Sequence, residues 1–174
     1  MILYADEAAI NLLPSVHSTY SEIGVTPILK EACKYTHLSV ASAISEDGKL
    51  FYEIRQDSYN GNGIVLFLER LIKEAKQKIL LIWDGAKIHF SEAVKNFLDK
   101  QKGDKIWLEK TPAYSPELNA DEQVWAYIKD FELKNVCCKN ITELKTKTIS
   151  AFESLKQKKE IIQNFFKHKK VGYY

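Results

Sequence analysis

Five apolar residues in a row, Ile79-Leu80-Leu81-Ile82-Trp83, run directly into Asp84. The run is short, contains β-branched residues and shows no polar alternation, so it reads as a strand covered on both faces at the centre of a sheet. Its flanks are helical. Upstream, Ile64, Leu68, Leu71, Ile72 and Ala75 recur at helical spacing within IVLFLERLIKEAKQK. Downstream, SEAVKNFLDK reads as a helix with Ser91 at its N-cap. A central strand between two helices calls for crossovers, which points the chain toward an α/β architecture.

The remaining segments fill out that frame. MILYA reads as a short buried strand with Asp6 at its C-terminal end, and residues 7–36 as a mixture of turn and extended structure. HLSVASAI and KLFYEI, joined by Ser45-Glu46-Asp47-Gly48, form a β-hairpin signalled by the Asp-Gly pair. Asn60-Gly61-Asn62-Gly63 reads as a loop. KIWLE (105–109) is a further short strand. A helix is expected from about Ala120 to Phe131, with Val124, Ile128 and Phe131 on one stripe. One or two Lys-rich helices should follow from about Ile141. The expected fold class is α/β, a mixed sheet of hairpin and parallel strands flanked by helices, in a single domain spanning residues 1–174.

Composition narrows the class. With 174 residues, 45% of them hydrophobic, and only seven Gly and four Pro, the chain can bury a sizeable core. It contains no apolar run of transmembrane length and no basic-then-apolar leader, so no membrane partner is expected. Three cysteines make neither a disulfide framework nor zinc spacing, which suits a reducing cytoplasm. Charge is uneven. Residues 1–128 carry 14 Lys and Arg against 18 Asp and Glu, a balance of −4, whereas residues 129–174 carry 11 against 5, a balance of +6. The basic C-terminal part therefore suits either a polyanionic partner or a solvated helix face.

Three acids stand where elements begin or end: Asp6, Asp84 and Glu122. Sites in α/β sheets gather at the carboxyl ends of strands. Neighbouring strands would bring Asp6 and Asp84 together, and a helix packed on the sheet would add Glu122. Clustered carboxylates repel unless a cation sits among them, and all-oxygen ligands suit Mg²⁺ or Mn²⁺. Two such ions about 3.5–4 Å apart can activate a water and stabilise the leaving oxygen of a phosphodiester. Each acid also has a plainer reading. Asp84-Gly85 suits a tight turn, Asp6 a surface carboxylate, and Glu122 the third helical position of a capping box headed by Asn119.

Taken together, YADEAAI, LLIWDGAKIH and TPAYSPELNADEQVW resemble the DDE transposases of the mariner superfamily, in its bacterial insertion-sequence branch. Tyr114, Ser115, Pro116, Leu118, Asn119, Glu122 and Trp125 match that family's third block, and 37 residues separate Asp84 from Glu122, as in the family. The resemblance implies an RNase H-like fold and a catalytic triad of Asp6, Asp84 and Glu122. Asp6 would bridge two Mg²⁺ or Mn²⁺ ions and the other two acids would hold one each. It implies cleavage of double-stranded DNA at transposon ends, then joining of the 3′-OH to target DNA, generally at TA. His89, Glu7 and Asn119 become candidates for contacts to the metal ligands or to DNA. Gly85 stands where Asn is commoner. Asp121 stands where Ile is usual, and adjacent helical residues point about 100° apart, so the motif register favours Glu122 as the third ligand. Trp125 is assigned to the core.

Family members usually carry helix-turn-helix domains before the catalytic domain, whereas here Met1 opens the first catalytic strand. The expectation is a separately encoded N-terminal DNA-binding partner, a homodimer at synapsis, and action in the bacterial cytoplasm on nucleoid DNA. The tail lysines Lys156, Lys158, Lys159, Lys167, Lys169 and Lys170 are candidate phosphate contacts. The competing readings are another RNase H-like nuclease and an inactive or truncated DNA-binding regulator.

Overall fold

The computed structural model describes residues 1–13, 20–25, 36–101, 104–112 and 115–167. Much of the segment expected to mix turn and extended structure, together with Tyr114, Lys169 and Lys170, lies outside those residues. Five strands form one sheet in the order β3-β2-β1-β4-β5. They are β1 (Ile2–Asn11), β2 (His37–Ile44), β3 (Leu50–Arg55), β4 (Ile79–Trp83) and β5 (Ile106–Lys110). β1, β2 and β3 pair antiparallel, and β1, β4 and β5 pair parallel. The β2–β3 turn closes through Gly48 N–H to Ser45 O at 2.9 Å, with Gly48 at φ +83°, which glycine adopts without strain.

β1 is longer than the sequence predicts. Its parallel pairing with β4 stops at Tyr4 opposite Ile82, but its antiparallel pairing with β2 continues from Tyr4 to Asn11. Asp6 therefore sits inside the strand, at the level where β4 has ended, and not at the strand's own terminus. β4 is also less covered than expected. Ile79, Leu81 and Trp83 are buried, while Leu80 and Ile82 on the opposite face are only partly so. Along that face Leu80 pairs with Ile2 and Trp107, which are 53% and 59% exposed. Helices cover the hairpin half of that face and leave the β4–β5 half open.

Helices α1 (Gly61–Ala75) and α2 (Glu92–Gln101) pack Ile64, Phe67, Leu68, Leu71, Val94 and Phe97 against Leu3, Leu81 and Trp83 on one side of the sheet. The expected loop at 60–63 is already helix. Asn60 caps it by accepting from Gly63 N–H at 2.9 Å, so helical backbone begins at Gly61. Gly61 must lack a side chain because a Cβ there would collide with Ser91 Oγ. Ser91 does precede α2, but its hydroxyl is buried with no hydrogen-bond partner and so gives no side-chain cap.

On the other side lie α3 (Glu122–Tyr127), α4 (Ile141–Gln157) and α5 (Lys159–Phe165). Val124, Trp125, Ile128, Phe152, Leu155 and Ile162 pack there on Ile10, Leu38, Val40 and Ile44. α3 continues as a π-helical turn, Ile128–Glu132, closed by Leu133 N–H to Ile128 O. The extra residue in that turn rotates the stripe, so Leu133 is buried and Phe131, expected inside, is 68% exposed.

Candidate active site

β1, the end of β4 and the start of α3 meet at the carboxyl edge of the parallel strands. There Asp6, Asp84 and Glu122 line one open hollow of about 330 Å³, together with Gly85, Lys110, Thr111, Ser115, Pro116 and Asn119. Thr111 N–H donates to Trp83 O at 2.8 Å, which ties the segment after β5 to the end of β4. Asn119 fixes the third acid. Its side-chain N–H donates to Ala5 O at 2.9 Å, and its Oδ1 accepts from Asp121 N–H at 3.1 Å. One buried amide thus closes the turn that leads into α3 and fastens that turn to the strand bearing Asp6. The expected capping box does not form: α3 starts at Glu122 after Asp121 with no side-chain cap, and Asn119 N–H goes to Pro116 O. The Glu122 side chain is left to face the hollow.

Asp6 is held by Trp125, whose indole N–H donates to Oδ2 at 3.0 Å. Trp125 is core, as expected, but it also orients this carboxylate. The signal was available: a buried indole N–H needs an acceptor. Burial first, and then the negative charge of Glu122, raise the Asp6 pKa from 3.8 to about 7. Burial also raises the Glu122 pKa, against the attraction of Lys129.

Asp121 turns away from the hollow. It is fully buried, and Ser42 Oγ donates to its Oδ2 at 2.6 Å, while Oδ1 has no partner. Burial pushes its pKa well above 3.8, and the charges of Asp6 and Glu122 push the same way. Burial therefore favours the neutral form of this carboxyl beneath the site.

Asp84 is set by a relay. Trp83 Nε1 donates to Glu7 Oε2 at 2.8 Å, and His89 Nε2 lies 2.8 Å from Glu7 Oε1. His89 Nδ1 lies 2.8 Å from Asp84 Oδ1, which also accepts from Ala86 N–H at 3.0 Å. His89 is 1% exposed and stacks on Trp83 at 4.1 Å. Burial alone would lower its pKa, but the Glu7 hydrogen bond and the charges of Glu7 and Asp84 outweigh it, so the net shift is upward. Nδ1 also lies 3.3 Å from Asp84 O, so the ring spans from the Glu7 carboxylate to Asp84. Because the contacts to the Asp84 carboxylate all use Oδ1, Asp84 Oδ2 stays open to the hollow.

The tail lysines stand apart. Lys156 lies 6.0 Å from the Tyr52 ring, Lys158 Nζ bonds Tyr127 Oη and Glu132 Oε1 at 3.0 Å each, and Lys159 packs beside Gly48. Lys167 is exposed. None of these four lines the hollow. Lys158 is ion-paired with Glu132. The lysine that does line the hollow is Lys110, which the sequence reading passed over. It directly follows the expected strand KIWLE, as Asp84 follows ILLIW, and that was the available signal.

The donor set is all oxygen, as a hard divalent ion requires. Among the described residues no three acids, histidines or cysteines close into a ready-made ion cage. A cation beside Asp6 would also relieve the repulsion and burial that raise its pKa.

The fold matches solved structures. The Mos1 mariner paired-end complex with Mn aligns over 99% of this chain and 56% of its own, at 14% identity and a TM-score of 0.69. The Mos1 paired-end complex with the left transposon end aligns over 94% and 54%, at 16% and 0.64. The isolated catalytic domain of Mos1 transposase aligns over 98% and 80%, at 13% and 0.63. The chain spans about half the length of the first two. The five-stranded mixed sheet with flanking helices is thus the RNase H-like fold. No curated protein matches. The sequence model of the DDE superfamily endonucleases matches residues 1–145, a span that takes in Asp6, Asp84 and Glu122, and the chain belongs to that superfamily.

Proposed function

We propose that this chain is the catalytic part of a DDE transposase of the mariner superfamily, in its bacterial insertion-sequence branch. It cleaves phosphodiester bonds at transposon ends and joins the 3′-OH to target DNA, at TA dinucleotides. One observation carries the reading: Asp6, Asp84 and Glu122, far apart in sequence, line a single hollow at the carboxyl edge of the parallel strands. The family membership supports endonuclease chemistry there.

In this reading Asp6, Asp84 and Glu122 would hold two Mg²⁺ or Mn²⁺ ions. Bound divalent ions would supply activation of a water or 3′-OH and stabilisation of the leaving oxygen. The chain's own residues set the geometry. Trp125 holds Asp6, the Glu7–His89 pair holds Asp84 through Oδ1, and Asn119 fixes the turn that carries Glu122. The paired-end complexes of Mos1 support DNA as partner, and a homodimer is the proposed working unit. A separately encoded N-terminal DNA-binding protein would supply end recognition, and the bacterial cytoplasm is the proposed location. Among the described residues no helix is long and apolar enough to cross a membrane.

The test titrates Mn²⁺ into wild type and Glu122→Gln, following heat, melting temperature and nicking of supercoiled plasmid. Wild type should bind and nick. Because Glu122 does not close the capping box, Glu122→Gln should melt within a few degrees of wild type. It should lose about 10²-fold or more of nicking, the scale for removing an electrostatic stabiliser of a transition state. A parallel loss of stability and activity, or wild type that neither binds nor nicks, would refute the assignment.

A further inference from the structure

Among the described residues lining the acidic hollow there is one cation, Lys110. It stands at the end of β5, paired in register with Trp83 at the end of β4. Its side chain runs across Gly85, the residue directly after Asp84. A Cβ at position 85 would collide with Lys110 Cε and lie 2.8 Å from Nζ. The residue is exposed. Its ammonium lies 5.8 Å from the centre of the Phe90 ring, and no described carboxylate pairs with it.

The geometry points to Lys110 as a backbone-phosphate contact for the DNA strand that enters the hollow. This rests on the proposed reading of the hollow as a DNA-cleaving site. Three carboxylates repel a polyanion, so a strand approaching them needs positive charge close by. The tail lysines with described positions do not line the hollow. Lys110 does, and among the described residues no carboxylate pairs with its ammonium.

The test measures binding of a fluorescein-labelled duplex by anisotropy at fixed Mg²⁺ across a NaCl series. Every protein carries Glu122→Gln so that the strand is not cut. Lys110→Gln should weaken binding roughly 5- to 10-fold at low salt and reduce the slope of log K against log salt by about one. Lys110→Arg should retain both. Unchanged affinity and slope in Lys110→Gln, with duplex binding intact in the parent, would overturn this proposal and leave the proposed function standing. Wild type that fails to nick in the earlier assay would remove the functional reading itself, and this inference with it.

Discussion

Replacing Asp6 by Asn should stabilise the metal-free protein while abolishing its activity. The sign follows from linkage. Asp6 has a folded pKa of about 7 against 3.8 for an ordinary aspartate, so the folded state binds more protons between those values and stability falls as pH rises through that window. Below 3.8 both states are protonated and no penalty exists. Above about 7 the penalty is complete, and 1.36 kcal/mol for each tenfold makes it about 4 kcal/mol. Asn at position 6 carries no charge and can still accept from the Trp125 indole, so it removes the penalty without breaking that bond. For a domain of this size the gain at pH 8 should be roughly 5–15 °C in melting temperature, shrinking to a few degrees near pH 4. Mn²⁺ should raise the wild-type melting temperature at pH 8 and have much less effect on Asp6→Asn. Differential scanning fluorimetry at pH 4, 6 and 8, with and without Mn²⁺, measures all three effects. An Asp6→Asn protein less stable than wild type at pH 8, or a difference that does not grow with pH, would refute the reasoning.

The Glu7–His89 pair should be coupled. His89→Ala removes a stacked, buried ring and leaves Glu7 with only the Trp83 indole as donor, at a cost of about 3 kcal/mol. Adding Glu7→Gln should cost less than the sum of the single changes in a double-mutant cycle of denaturant midpoints, whereas strict additivity would contradict the relay. Because the His89 pKa is raised above 6.5, its stabilisation is full below 6.5 and lost as pH climbs through the folded value, so the His89→Ala deficit should be smaller at pH 9 than at pH 6. Gly61→Ala should cost about 1–3 kcal/mol through its clash with Ser91 Oγ, and Ser91→Ala should recover part of it by removing that buried, unpartnered hydroxyl. No recovery in urea melts would mean that α1 shifts to relieve the clash.

The sequence by itself determined the element order, the antiparallel hairpin beside parallel strands, and the three acids as candidates, because apolar periodicity, an Asp-Gly turn and strand-end carboxylates are local signals. It misjudged features set by partners distant in the chain. β1 extends past Asp6 because β2 goes on pairing with it, a length that one strand cannot state alone. Phe131 leaves the core because a π turn inserts a residue, and helical spacing read off the sequence assumes a constant pitch. The third-block motif marked Glu122, but only the tertiary structure decided that Asn119 fastens its turn to Ala5 and that Asp121 points instead to Ser42. Lys110 entered the site for the same reason. Charge is written in the sequence, but which charges share one hollow depends on how strands far apart in the chain lie side by side.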